Sequence, residues 1–160
     1  LPVLSSDRIR KQLLGVAPTT QKHDASFQGA YAPSMTQQVY AEVCARAEHV
    51  LSSGRSVVLD ASFRSRAERE PVIALAERLN ASLLFVECKC SRETAMQRLE
   101  ERAKGPSISD GRREIYDAFM QSFEPPSELP ERALCRIDTD GPLEANVARL
   151  RDCIERSTGG

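Results

Sequence analysis

Gly54-Arg55-Ser56-Val57-Val58-Leu59-Asp60-Ala61-Ser62-Phe63 is the stretch that decides the fold class. A turn glycine precedes a short apolar run rich in β-branched residues, and a carboxylate follows at once. A continuous apolar run of this length suits a strand buried on both faces, as in a parallel sheet. Upstream, Val39, Val43, Ala47, Val50 and Leu51 recur at helical spacing behind Ser34 and Gln37, which have the spacing of a capping box. Before them lie an aperiodic loop over Gly15–Pro33, a helix begun by Ser5-Ser6-Asp7 and stopped by Gly15, and an apolar strand at Leu1–Leu4. Downstream, the pattern predicts a helix over Arg66–Leu79 stopped by Asn80, and a strand at Leu83–Val86. A helix capped by Ser91 then breaks at Gly105-Pro106, and another, capped by Asp110, runs through Tyr116 and Phe119. A proline-rich turn, a strand over Ala133–Asp138 and a helix over Pro142–Ile154 complete the chain. Strands alternating with helices make one α/β domain with a largely parallel sheet.

Composition narrows the function classes. The chain has 160 residues, 41% of them hydrophobic, which is enough for a core of one domain. A net charge of -1 argues against a general nucleic-acid binder or a membrane-surface protein. No apolar run approaches the roughly 18 residues that cross a bilayer, and Leu1-Pro2-Val3-Leu4 lacks the flanks of a signal peptide. The five cysteines are odd in number, widely spaced and without a CxxC pair, so neither a disulfide scaffold nor a zinc site is indicated. Cys88 and Cys90 read as small apolar core residues of a strand. A reducing cytoplasm is the expected location.

Ligands of open α/β sheets sit at the carboxyl ends of the strands, so the residues that follow each strand matter most. Asp7 and Arg10 lie three apart at a helix start and share a face. One can accept a proton while the other grips an anion. On spacing alone, a capping Asp with a solvated Arg reads equally well. Asp60, directly after Val57-Val58-Leu59, suits a Mg²⁺-holding carboxylate or a plain turn cap. Arg98 and Arg102 share a helix face beside the Gly105-Pro106 break; they can clamp phosphates or form a solvated face. Tyr31 and Tyr40 can line a pocket or simply pack, and Arg64, Arg66 and Arg69 form a cationic cluster after Asp60.

In order and spacing these pieces resemble a family. They are Ser6-Asp7-Arg8-Ile9-Arg10-Lys11 with Leu13 and Gly15, Thr36 to Tyr40, and Gly54 to Phe63. Arg98-Leu99 with Arg102, Ser109-Asp110, Phe123-Glu124-Pro125 and Ile137-Asp138-Thr139-Asp140 continue the match. The chain is similar to P-loop small-molecule kinases of the gluconate-kinase-like, zeta-toxin-like and chloramphenicol-phosphotransferase-like group, in particular those fused behind an aminoglycoside-phosphotransferase-like domain. The resemblance implies a three-layer α/β/α P-loop NTPase fold over residues 1–156, a lid near 102–113 and a flexible tail at 157–160. It makes Asp7 the base that takes a hydroxyl proton. Arg10, Lys11, Tyr31 and Arg69 would belong to the substrate side, Arg98 and Arg102 to catalysis and the ATP-covering lid, and Asp60 to Mg²⁺.

One element of that family pattern is not found. No G-x-x-x-x-G-K-[ST] occurs in the 160 residues, so the first strand and the loop that cradles the phosphates are expected on polypeptide before Leu1. In the family that strand is central, so its absence would leave two neighbouring strands unpaired. The expected function is ATP- and Mg²⁺-dependent phosphoryl transfer to a hydroxyl of a small molecule, inactive without the phosphate loop. A catalytically dead kinase-like interaction module and a polynucleotide 5′-hydroxyl kinase are the alternatives; near-neutral charge weighs against the second.

Overall fold

The structure, a computed structural model, describes residues 1–20 and 27–158. The middle of the expected 15–33 loop and the last two glycines of the expected tail lie outside those residues. The elements run β1 (Val3–Ser5), α1 (Ser6–Leu13), α2 (Pro33–Ser52), β2 (Val58–Asp60), α3 (Arg66–Arg78), β3 (Phe85–Lys89), α4 (Arg92–Ala103), α5 (Arg113–Gln121), β4 (Leu134–Asp138) and α6 (Leu143–Thr158). Short 3-10 turns occupy Gly29–Tyr31 and Glu131–Ala133. The α/β class and the parallel strands agree with the sequence reading.

The strands form two pairs. β1 lies parallel to β2 with Ser5 in register with Asp60, and β3 lies parallel to β4 with Lys89 in register with Asp138. Among the described residues no ladder joins the pairs, so the expected single sheet is split between β2 and β3. Each pair has its own core. Ile9, Val39 and Val43, with Met35 and Leu59, fill the space between α1, α2 and β2. Cys135, Ile137 and Cys153, with Leu84, Val86 and Leu150, seat α6 on the β3–β4 pair. Withdrawing each such aliphatic side chain from water contributes about 1.5–3 kcal/mol.

Local chemistry explains the boundaries. Gly15, Gly54 and Asn80 adopt positive φ (66°, 75° and 51°) just past the ends of α1, α2 and α3, the left-handed stop that Gly and Asn tolerate best. Ser91 caps α4 by accepting from the Thr94 N–H at 3.2 Å. Three local expectations are overturned. Pro33, suited to a first helical position, starts α2 one residue before Ser34, so no capping box forms. Asp110 does not cap α5, because its carboxylate is buried in an ion pair with Lys11. The expected tail is partly helix, since α6 continues to Thr158.

The cysteines also differ from expectation. Cys135 and Cys153 are joined as a disulfide between β4 and α6, a pairing that neither their number nor their spacing signals. Cys88 is exposed and Cys90 half-buried. On β3 the buried position is Glu87, held by Lys89 at 3.1 Å and Arg136 at 3.3 Å.

Candidate functional site

Parallel pairing of β1 with β2 brings two carboxylates to one end of the molecule. Asp7 stands in the first turn of α1, two residues beyond the Ser5 that faces Asp60 across the pair. Both line a cleft of about 330 Å³, together with Ser6, Arg10, Ala61 and Ser62. Tyr31, Thr36 and Tyr40 extend the lining; Leu99, Ser109, Gly111 and Arg112 add α4 and the approach to α5; Ile115, Tyr116 and Phe119 come from α5 itself. The structure thus gathers Asp7, Arg10, Tyr31 and Asp60, which the sequence singled out from three separate segments.

Burial raises the Asp7 carboxyl above the ordinary aspartate range. A Ser109 hydrogen bond and the Arg10 charge oppose that shift, while Asp110 and Asp60 add to it. A carboxylate of raised proton affinity beside a cleft is suited to accept a proton. Arg10 is 5% exposed. Its Nη1 donates to the Ala30 carbonyl at 2.7 Å and its guanidinium lies 4.6 Å above the Tyr31 ring centre. Its Nε is buried with no hydrogen-bond partner among the described residues. A buried donor left over in a guanidinium that is otherwise fixed is suited to an anionic oxygen.

Asp110 ties the site together. It accepts from Lys11 Nζ at 2.7 and 2.5 Å and from the Tyr31 hydroxyl at 2.9 Å, while Lys11 also donates to the Thr20 carbonyl. Burial foremost, then the Asp7 and Asp110 charges, drives the Tyr31 phenol far above its ordinary pKa, so it stays a donor. Lys11 is therefore corrected: at 1% exposure it is the buried partner of Asp110, not a group that meets substrate. Arg69 is corrected likewise. At 2% exposure it donates to the Phe63 and Glu124 carbonyls at 2.8 and 3.0 Å and to the Glu128 carboxylate, fastening the proline-rich turn to α3.

Arg98 and Arg102 do not line this cleft. Arg98 donates to the Thr139 hydroxyl and carbonyl at 2.8 and 2.6 Å, which fixes it to the turn after β4. Arg102 sits at the rim, where a Cβ on Gly111 would come within 3.1 Å of its guanidinium. The sequence reading missed a second network. Glu68, buried, accepts from the Tyr40 hydroxyl at 3.2 Å and from the Arg64 backbone and Nε at 2.9 and 3.1 Å. Burial and the Glu68 charge push the Tyr40 phenol up to about 12. The i,i+4 spacing of Arg64 and Glu68 was a visible signal for half of it; Tyr40 stood out only as able to line a pocket or pack, and nothing in the sequence joined it to Glu68.

A family model described as an AAA domain matches residues 2–126. The chain belongs to that family. This AAA domain is 27% identical over 147 residues to the uncharacterized protein Mb2027c of Mycobacterium bovis and, to the same extent, to the uncharacterized protein Rv2004c of Mycobacterium tuberculosis. The match takes in 92% of the chain but spans only 28% of the length of those relatives. Among solved structures, a gluconokinase from Sinorhizobium meliloti 1021 superposes with a TM-score of 0.60 at 20% identity, covering 97% of this chain and 77% of that one. The AAA domain therefore shares the α/β fold of that gluconokinase. No helix among its described residues is long and apolar enough to cross a membrane.

Such a fold implies ATP and Mg²⁺, and the residues of the cleft fit them in part. Asp60, exposed at the end of β2, is the hard oxygen ligand that Mg²⁺ takes in ones and twos alongside phosphate oxygens and water. Among the described residues no group of three or more His, Cys, Asp or Glu could cage a metal alone. That donor set suits a shared Mg²⁺ and not a resident structural ion. The unpartnered Arg10 Nε suits an anionic oxygen equally well.

Proposed function

We propose that this domain carries out phosphoryl transfer from ATP to a hydroxyl of a small molecule. The observation that carries the reading is the shared cleft. A carboxylate of raised proton affinity, a strand-end carboxylate and a partly unsatisfied guanidinium line one cavity in a P-loop kinase-like fold. Asp7 would take the acceptor's proton as the new oxygen–phosphorus bond forms and the bond from that phosphorus to the departing ADP oxygen breaks. Arg10 would hold an anionic oxygen in the cleft, Tyr31 keeps its ring under that guanidinium, and Asp60 would hold Mg²⁺. ATP supplies the phosphoryl group, and Mg²⁺, when bound, offsets the charge of its phosphates. Arg102 at the rim, with Arg98 behind it on the same helix face, belongs to the lid side in this reading.

The phosphate cradle is assigned to polypeptide outside residues 1–160. The split between the β1–β2 and β3–β4 pairs supports a further strand at that place. The length of the relatives supports a larger protein; an aminoglycoside-phosphotransferase-like domain ahead of this one is part of the proposal and rests on the family resemblance. A cytoplasmic location goes with ATP use. The test is transfer of labelled γ-phosphate by the protein extended at its N-terminus to a panel of sugars, aminoglycosides, nucleosides and oligonucleotides. Transfer to a small hydroxylated acceptor supports the reading. Failure of the extended protein to bind ATP overturns it in favour of an inert interaction module.

A further inference from the structure

The lining of the cleft says something about the acceptor itself. The chain has eight aromatic residues, five Phe and three Tyr, and no Trp. Five of the eight line this one cleft: Phe27, Tyr31, Tyr40, Tyr116 and Phe119. A site for a polyhydroxylated acceptor needs hydrogen-bonding groups at most of its surface, because each unpaired hydroxyl is costly to bury. Here α5 contributes the reverse, with Ile115, Tyr116 and Phe119 on one helix face and Leu99 of α4 beside them. Phe27 stacks on Phe119 with ring centres 5.4 Å apart and planes 20° from parallel, and both rings stay half-buried. The Arg64 guanidinium lies 4.4 Å above Phe27 and 5.0 Å from Phe119, which fixes the pair from one side. Preformed aromatic surface of this kind favours a planar or apolar ring.

The same cleft holds the buried guanidinium of Arg10, anchored at Ala30 and Tyr31, whose Nε has no hydrogen-bond partner among the described residues. A ring surface and an anion-accepting donor within one cavity of about 330 Å³ describe a ligand with both features. We infer that the acceptor of the proposed reaction joins a planar or apolar ring to an anionic group, with its hydroxyl near Asp7. The ring seats against Phe27 and Phe119, and the anion meets Arg10. This rests on the phosphoryl-transfer reading for the word acceptor, but not for the binding.

The test is binding to the full-length protein without nucleotide, read by ligand-observed NMR with three probes. Mandelate offers ring, hydroxyl and carboxylate; lactate keeps the hydroxyl and carboxylate without the ring; benzyl alcohol keeps the ring and hydroxyl without the charge. Mandelate should bind on the order of ten-fold more tightly than either. Phe119→Leu should remove the advantage over lactate, and Arg10→Gln the advantage over benzyl alcohol. Phe27→Leu, which leaves α5 untouched, repeats the ring test should Phe119→Leu fail to fold. Equal affinity for mandelate and lactate, no mandelate binding, or a ring preference that survives both Phe variants would overturn the inference. Those outcomes leave phosphoryl transfer standing, whereas a ring preference without transfer by the wild type would sink only the kinase reading.

Discussion

The two ends of this molecule bury different kinds of matter. Among the described residues, the buried polar or charged ones around α1, α3 and the approach to α5 are Ser6, Arg10, Lys11, Glu68, Arg69 and Asp110; around β3, β4 and α6 there is Glu87 alone. Glu87 keeps exposed partners in Lys89 and Arg136, and the rest of that end is filled by Cys135, Ile137, Cys153 and their apolar neighbours. Removing charge from water is expensive even when it is paired, and a hydrophobic replacement is often as stable or more so. The concentration of buried charge at one end therefore marks the end where position matters more than stability. It is also the end that holds the cleft.

The largest expected effect that would break this contrast concerns Asp7. Asp7→Asn should lower kcat of the extended protein on the order of 100- to 10,000-fold while sparing ATP binding. It should also raise Tm at neutral pH. The folded-state pKa of Asp7 is raised, so the native state binds its proton more tightly, and stability falls as pH climbs from the unfolded value through the folded one. Asn has no such dependence. Thermal melts of both proteins at acidic and neutral pH, with the gap widening as pH rises, would check the sign.

Next comes the buried pair. Lys11→Met removes the cation paired with the buried Asp110 carboxylate and should cost about 3–5 kcal/mol in urea denaturation. The double variant Lys11→Met with Asp110→Leu should recover most of that loss. A double variant as unstable as the single one would mean that the pair contributes net stability, and the contrast would fail. At the apolar end, Ile137→Ala should cost about 2–5 kcal/mol by leaving a cavity, with no change in ligand binding. Ser91→Ala removes the α4 cap and should cost about 1 kcal/mol by the same denaturation experiment. At the small end, Arg78→Ala, which breaks the exposed pair with Glu48, should leave Tm unchanged within error.

What the sequence made legible follows the range of the forces involved. The strand-to-helix alternation, the glycine and asparagine stops and the Ser91 cap are local, and they stand where the residues place them. Asp7 and Asp60 were singled out because they follow strands whose ends converge in this fold class, and Arg10 because it shares a helix face with Asp7; the folded chain places all three, with Tyr31, along one cleft. Lys11 was misread because its partner is 99 residues away, and only the folded chain brings a carboxylate there. Arg69 was misread for a different reason: three of its acceptors are backbone carbonyls, which every residue possesses and no sequence pattern marks. The Ser34–Gln37 spacing lost to Pro33, whose fixed φ starts the helix one residue earlier. The disulfide joins a strand to a helix through packing, so cysteine counting was silent on it.

The buried ion pair of Lys11 also moors the helix that lies beyond it. Residues 109–112 are pinned to α1 through Ser109 and Asp110, and the segment after α5 is fastened through the Glu124 and Glu128 contacts of Arg69. α5 is tied to α4 as well, by the ion pairs of Arg92 with Asp117 and of Arg113 with Glu100. Three separate fastenings thus hold the aromatic wall of the cleft in place.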